Sequence, residues 1–172
     1  MKKIINEPTQ VVSELLKGME LAHPELKYTE NLEIISRREK KQDKVAVISG
    51  GGAGHEPAHA GYVGTGMLDA AVSGNVFSSP SPDRITEAIS QVDAGKGVLM
   101  IIKNYSGDIM NFGMSKDLAE LEDIEVDSVV VRDDVDRAHT GTDTCGGHGG
   151  PGRIVGLLPP AQLGGHPNRF HP

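Results

Sequence analysis

Between residues 8 and 21 the apolar side chains Val11, Val12, Leu15, Leu16 and Met19 recur at three- and four-residue intervals, which gathers them on one face of a helix. Pro8 stands near its start and Pro24 just past its end, the two boundary positions that proline tolerates. Downstream the pattern shortens to β-rich runs over residues 32–36, 44–49, 67–72, 98–103 and 126–132, each followed by polar or glycine-rich residues. Helical spacing returns between them. Ser81 as N-cap and Pro82 at the first helical position open one helix, with Ile85, Ala88, Ile89 and Val92 on its apolar side. Another spans about 108–121 with Asp108 near its N-cap, and a further one is expected to begin near Pro57. Strands alternating with helices predict an α/β fold, a mostly parallel sheet with helices on both faces. Ligands of such sheets bind just beyond the carboxyl ends of the strands, so the informative loops follow Ser49, Val72, Lys103 and Arg132.

Composition narrows this picture. A chain of 172 residues is long enough to bury about 68–70% of its unfolded surface, hence one domain with a real core. Aromatic residues make up only 3% and Trp is absent, so that core must be aliphatic, as suits buried parallel strands. The formal net charge of -7 disfavours nucleic acid, whose phosphates demand clustered Lys and Arg. No apolar run approaches a membrane span, and the single Cys145 cannot form an internal disulfide, which together lead us to expect a soluble cytoplasmic protein. At about Asp136 the composition switches. The last 37 residues hold nine Gly, five Pro and four His but neither Lys nor Glu, whereas the first 135 hold ten Lys and twelve Glu. Such a segment lacks periodic apolar faces, so the chain divides into an α/β part over 1–135 and an irregular, disordered tail over 136–172.

The chemistry concentrates in residues 48–61, ISGGGAGHEPAHAG, which contain the letters H-E-x-x-H. In zinc hydrolases both histidines of that pattern lie mid-helix on one face, with the glutamate acting on bound water. Here Pro57 and the upstream glycines break the required helix, so a zinc site built from His55, Glu56 and His59 is the remote alternative. A phosphate loop requires G-x-x-x-x-G-K-[ST], which is absent, and His55 stands where the dinucleotide fingerprint has its third glycine. What remains is a loop whose main chain can touch a small polar molecule beside the titratable imidazole of His55, with His59 packing behind it. Lys103 and Asp108 lie at the same end of the sheet. A cation, an anion and an imidazole on one crevice suit a polyol or hydroxyketone and the removal of a proton from one of its hydroxyls. Asn75, Ser78 and Ser79, in the loop after residue 72, are candidate lining groups.

The strings GGGAGHEPAHAGYVGTGMLDAAVSGNVFSSPSPDRI and KNYSGDIMNF closely resemble the substrate-binding subunit of dihydroxyacetone kinases, in particular the bacterial form coupled to the phosphoenolpyruvate phosphotransferase system. The resemblance runs from Met1 to about Val135. It implies that the backbone at Gly52, Ala53 and Gly54 holds dihydroxyacetone, that His55 contacts it and accepts a proton, and that Lys103 and Asp108 bind its hydroxyls, Asp108 also serving as a base. It further implies that this chain binds no cofactor. ADP or ATP with magnesium would sit on a separate nucleotide-bearing kinase subunit, which a phosphotransferase-system phosphoryl donor protein recharges. A homodimer is the expected assembly. A related non-catalytic reading, a dihydroxyacetone-binding coactivator of transcription, comes from the same resemblance. The family's second half, with the histidine that bonds covalently to the substrate carbonyl, has no match here. The sheet is therefore expected to be incomplete, and the residues after Asp136 to be out of frame or the end of a truncated product.

Overall fold

A computed structural model of the chain describes residues 6–40 and 42–132. The tail expected over 136–172, with Cys145, His139, His148, His166 and His171, lies outside them. Six strands, β1 (Leu26–Thr29), β2 (Ile34–Arg37), β3 (Ala46–Ala53), β4 (Ala70–Val76), β5 (Val98–Lys103) and β6 (Val126–Val131), form one sheet in the order β1-β2-β4-β3-β5-β6. β3 pairs in parallel with β4 and β5, and β5 in parallel with β6, whereas β1–β2 and β2–β4 are antiparallel. Every residue of β3 is buried, as a strand in mid-sheet covered on both faces must be.

Because side chains alternate along a strand, consecutive residues feed opposite layers. Val47, Ala71 and Ile101 face the layer containing Leu16 of helix α1 (Val11–Ala22). Their neighbours Ile48, Val72 and Met100 face the other layer, with Ile85 and Ile89 of α2 (Pro82–Val92) and Phe112 of α3 (Ser106–Glu120). Ile48, Ile85, Ile89 and Met100 are fully buried, each contributing about 1.5–3 kcal/mol of apolar transfer. The mostly parallel sheet with helices on both faces is thus as the periodicity predicts, and no helix among the described residues is long and apolar enough to cross a membrane.

Three expectations are corrected. β3 does not stop at Ser49 but continues through the glycines to Ala53, because they let neighbouring backbone and side chains close on the strand. The helix expected near Pro57 is instead a series of turns followed by a three-residue 3-10 segment, Ala60–Tyr62. The backbone there is satisfied by short-range turn bonds such as Ala58 N–H to His55 O at 3.2 Å and Gly61 N–H to Pro57 O at 2.8 Å. α3 begins at Ser106 with Tyr105 as N-cap, so Asp108 occupies the first turn rather than the cap. Ser81 does hold the N-cap position of α2, with Pro82 after it, although its side chain makes no capping hydrogen bond.

The connections place the site. The β3–β4 link crosses the α1 layer, through Ala60, Val63 and Leu68. From β4 the chain returns through α2 on the opposite layer to β5, on the far side of β3. Connections that diverge in this way leave a crevice at the carboxyl end of the strand between them, here β3.

Candidate functional site

That crevice is a cleft of ≈ 330 Å³, lined by Gly52 and His55 from the end of β3, Phe77 and Ser79 from the loop after β4, and Lys103, Tyr105, Ser106, Gly107 and Asp108 from the β5–α3 junction. The volume falls in the range usual for small-molecule sites. Strand β5 ends on Lys103, and one turn into α3 Asp108 returns its carboxylate to within 3.6 Å of the ammonium. Both are buried, at 7% and 3% exposure. The ammonium also lies 5.1 Å from the centre of the Tyr105 ring, within reach of a cation–π attraction. Burial pushes the Lys103 amine below the usual lysine range, and Asp108 opposes that shift. A donor and an acceptor so placed grip hydroxyl groups from both sides: the lysine offers N–H and the carboxylate accepts O–H.

His55 follows the last glycine of the loop and is half-buried. Its ring lies 5.6 Å from that of Phe77 at 74° and 6.4 Å from that of Tyr105 at 33°. Behind it, His59 is buried to 3% exposure. Burial first, then the nearby Lys103 and His55, hold its imidazole down at about 3, so it is neutral at ordinary pH. Its Nε2 has no hydrogen-bond partner among the described residues. Ser79 Oγ, on the opposite wall, is likewise buried without a partner. A buried, unpaired hydroxyl costs free energy unless something fills its hydrogen-bonding capacity.

The structure therefore brings His55, Lys103, Asp108 and Gly52 together around one cleft, as the strand-end reading expects. Ala53 and Gly54 lie beside it but outside its lining. The Ala53 carbonyl accepts from Phe77 N–H at 2.8 Å, and Gly54 N–H donates to both carboxylate oxygens of Glu56 at 3.1 Å. Of the three hydroxyl or amide candidates after residue 72 only Ser79 lines the cleft; β4 continues to Val76 and takes in Asn75, whose carbonyl accepts from Ser78 N–H at 3.0 Å. Phe77 and Tyr105 are additions that the sequence reading missed. The chain has only three Phe and three Tyr, so an aromatic in each of two polar loops was the available signal.

The same contacts decide the other ligand classes. A phosphate cradle needs free backbone N–H groups and no negative charge. Glu56 places its carboxylate on the N–H of Gly54, so the glycine loop does not fit a nucleotide phosphate. The H-E-x-x-H letters do not lie on a helix, and among the described residues no group of three His, Cys, Asp or Glu side chains is assembled to hold a metal ion.

Comparison with known proteins identifies the family. A family model described as the Dak1 domain matches residues 17–155. The chain is 49% identical over 156 residues to the PTS-dependent dihydroxyacetone kinase 1, dihydroxyacetone-binding subunit DhaK, of Listeria innocua, covering 90% of this chain and 47% of that protein. It is 55% identical over 135 residues to the corresponding subunit of Lactococcus lactis, covering 78% of this chain and 41% of the relative. Among solved structures, the dihydroxyacetone kinase of C. freundii in complex with AMP-PNP and Mg2+ superposes with a TM-score of 0.75 at 42% identity, over 80% of this chain and 26% of that one. The chain thus spans less than half the length of each of these relatives.

Proposed function

The chain belongs to the Dak1 domain family, and from that premise we propose that its cleft binds dihydroxyacetone and presents a terminal hydroxyl for phosphoryl transfer, as the substrate-binding subunit of a phosphoenolpyruvate-dependent dihydroxyacetone kinase. The observation that carries this is the buried Lys103–Asp108 pair converging with His55 on one cleft. A three-carbon ketone with a hydroxyl at each end matches a site offering an ammonium, a carboxylate and the hydroxyl of Ser79, unpaired among the described residues.

In this reading Lys103 and Asp108 hold the hydroxyls while His55, with Asp108 as the second candidate base, takes the proton from the attacking oxygen. Positioned general bases contribute about 10²–10⁴ in rate. The glycine loop does not cradle phosphate, so the nucleotide and its magnesium belong to a separate subunit that docks over the cleft and is recharged by a phosphotransferase-system donor protein. In this reading the backbone of Gly52, which lines the cleft, contacts dihydroxyacetone together with that of Ala53 and Gly54 beside it. We place this relay in the cytoplasm. Two copies of the chain pair symmetrically in our proposal, the commonest closed assembly of soluble proteins.

Titrating dihydroxyacetone and, separately, zinc into the chain while following the His55 imidazole resonances tests the reading. Dihydroxyacetone should shift them saturably, and Asp108→Asn or Lys103→Met should weaken affinity by about 10-fold or more, the worth of a hydrogen bond to a charged group. A response to zinc alone discards the reading. Phosphorylation should require the nucleotide-bearing subunit: turnover with ATP alone contradicts the assignment, and binding without turnover in the complete system identifies a ligand-sensing regulator instead.

A further inference from the structure

Phe77 has no structural reason to be where it is. It follows β4 directly, the residue is 74% exposed, and its backbone sits at φ 54, a left-handed conformation that bulky side chains rarely adopt. Neither core packing nor backbone comfort accounts for it, and strained residues of this kind collect where function holds them. The conformation is fixed from two sides. Phe77 N–H donates to the Ala53 carbonyl at 2.8 Å, and Ser78 N–H closes on the Asn75 carbonyl at 3.0 Å.

Two glycines of the preceding loop are shaped to this residue. A Cβ at Gly52 would stand 2.5 Å from Ser78 N and 2.9 Å from the Phe77 carbonyl carbon, so only glycine admits the loop against the end of β3. At Gly54, whose φ is +103, a Cβ would stand 2.7 Å from Phe77 Cε1, so the ring lies directly on the glycine next to His55. From there it meets the imidazole in the T-shaped arrangement that aromatic pairs favour, 5.6 Å between centroids, while Tyr105 borders the imidazole at 6.4 Å.

We propose that Phe77 is a positioning residue for His55: braced on Gly54, its ring restricts the imidazole to the orientation that meets the substrate hydroxyl at the mouth of the cleft. A half-buried loop histidine that follows a glycine would otherwise exchange among rotamers, and holding a base in its reactive orientation is worth as much as its chemistry. The proposal rests on the reading of His55 as proton acceptor. Lys103 and Asp108 grip the ligand independently of Phe77, so loss of the ring affects turnover more than binding.

The test compares Phe77→Ala, Phe77→Leu, Phe77→Tyr and Phe77→Trp with the parent chain. Phe77→Ala should move the carbon-bound proton resonances of the His55 imidazole, which lose the ring current of the phenyl. It should lower kcat in the complete phosphoryl-transfer system by about 10–100-fold, change KM by less than about 2-fold because the gripping residues are intact, and leave the thermal midpoint in place because the side chain is exposed. Phe77→Tyr and Phe77→Trp should restore resonance and rate, whereas Phe77→Leu, with bulk but no ring, should restore neither. Unmoved His55 resonances in Phe77→Ala, or a loss confined to KM, overturn the proposal. Failure is separable from that of the function itself: a parent chain that ignores dihydroxyacetone sinks the kinase reading, while the His55 resonances without ligand still judge the Phe77 contact.

Discussion

Lys103 and Asp108 stand 3.6 Å apart with almost no exposure, and each makes the other tolerable in a place where neither charge has enough water. Removing one partner strands the other, so Asp108→Asn should destabilise the fold by about 3 kcal/mol and drive the Lys103 amine lower still, since the carboxylate is what raises it. The double variant Lys103→Met with Asp108→Leu should regain most of that stability while losing dihydroxyacetone binding entirely, because similar apolar volume replaces a pair whose desolvation cost nearly cancels its attraction. Urea unfolding of the two singles and the double separates the contribution to folding from the contribution to the ligand. These two residues and His55 were legible in the sequence because Lys103 closes β5 and His55 and Asp108 follow within a few residues of a strand end, where the alternation of strands and helices already puts the ligand. Phe77 and Tyr105 were signalled only as aromatics in polar loops, because what they do depends on ring orientation and, for Phe77, on a left-handed backbone that no residue pattern announces.

At the scale of elements, β3 shows why a glycine run need not be a loop. A Cβ at Gly50 would stand 2.5 Å from the Val72 carbonyl oxygen and 3.1 Å from Phe112 Cζ, so the strand sits against β4 on one side and α3 on the other with no room for a methyl group. Gly50→Ala should therefore cost about 1–3 kcal/mol as overpacking, with a fall in urea midpoint at unchanged slope. A stability equal to the parent would mean that the β3–β4 spacing relaxes freely. The sequence carried β5 to the residue, since Val98–Lys103 is an uninterrupted β-branched and aliphatic run closed by a charge. It carried only the first half of β3, because glycine has low strand propensity and only tertiary packing rescues it here. It missed β1 altogether: Leu26–Thr29 is four residues long, has a lysine in it and pairs with β2 alone. The helix expected from Pro57 does not form: the backbone there closes through short-range turn bonds into a three-residue 3-10 segment, which apolar spacing alone does not distinguish from the start of a helix.

For the molecule as a whole, His59 ties stability to pH. It is buried near enough to Lys103 and His55 for their charges to act on its imidazole, so its protonation state bears on the groups that line the cleft. In the unfolded chain the imidazole titrates at its ordinary 6.5, whereas in the fold burial, Lys103 and His55 hold it at about 3. Between those values the unfolded chain binds a proton that the folded one refuses, so stability is full above 6.5 and falls as the pH drops, by up to about 1.4 kcal/mol per unit. Going from pH 7.5 to 5 should remove about 2 kcal/mol through this residue alone. Carboxylates add their own losses, but mainly nearer their lower titration range. His59→Gln, which keeps a polar group of similar reach and cannot be protonated, should flatten the profile between pH 7 and 5 even if it lowers stability at pH 7.5. Urea midpoints of both proteins at pH 7.5, 6 and 5 measure the difference in slope. A parent profile already flat over that interval, or an equal slope in the variant, would show that the His59 site opens to water readily enough to admit the proton without cost to the fold.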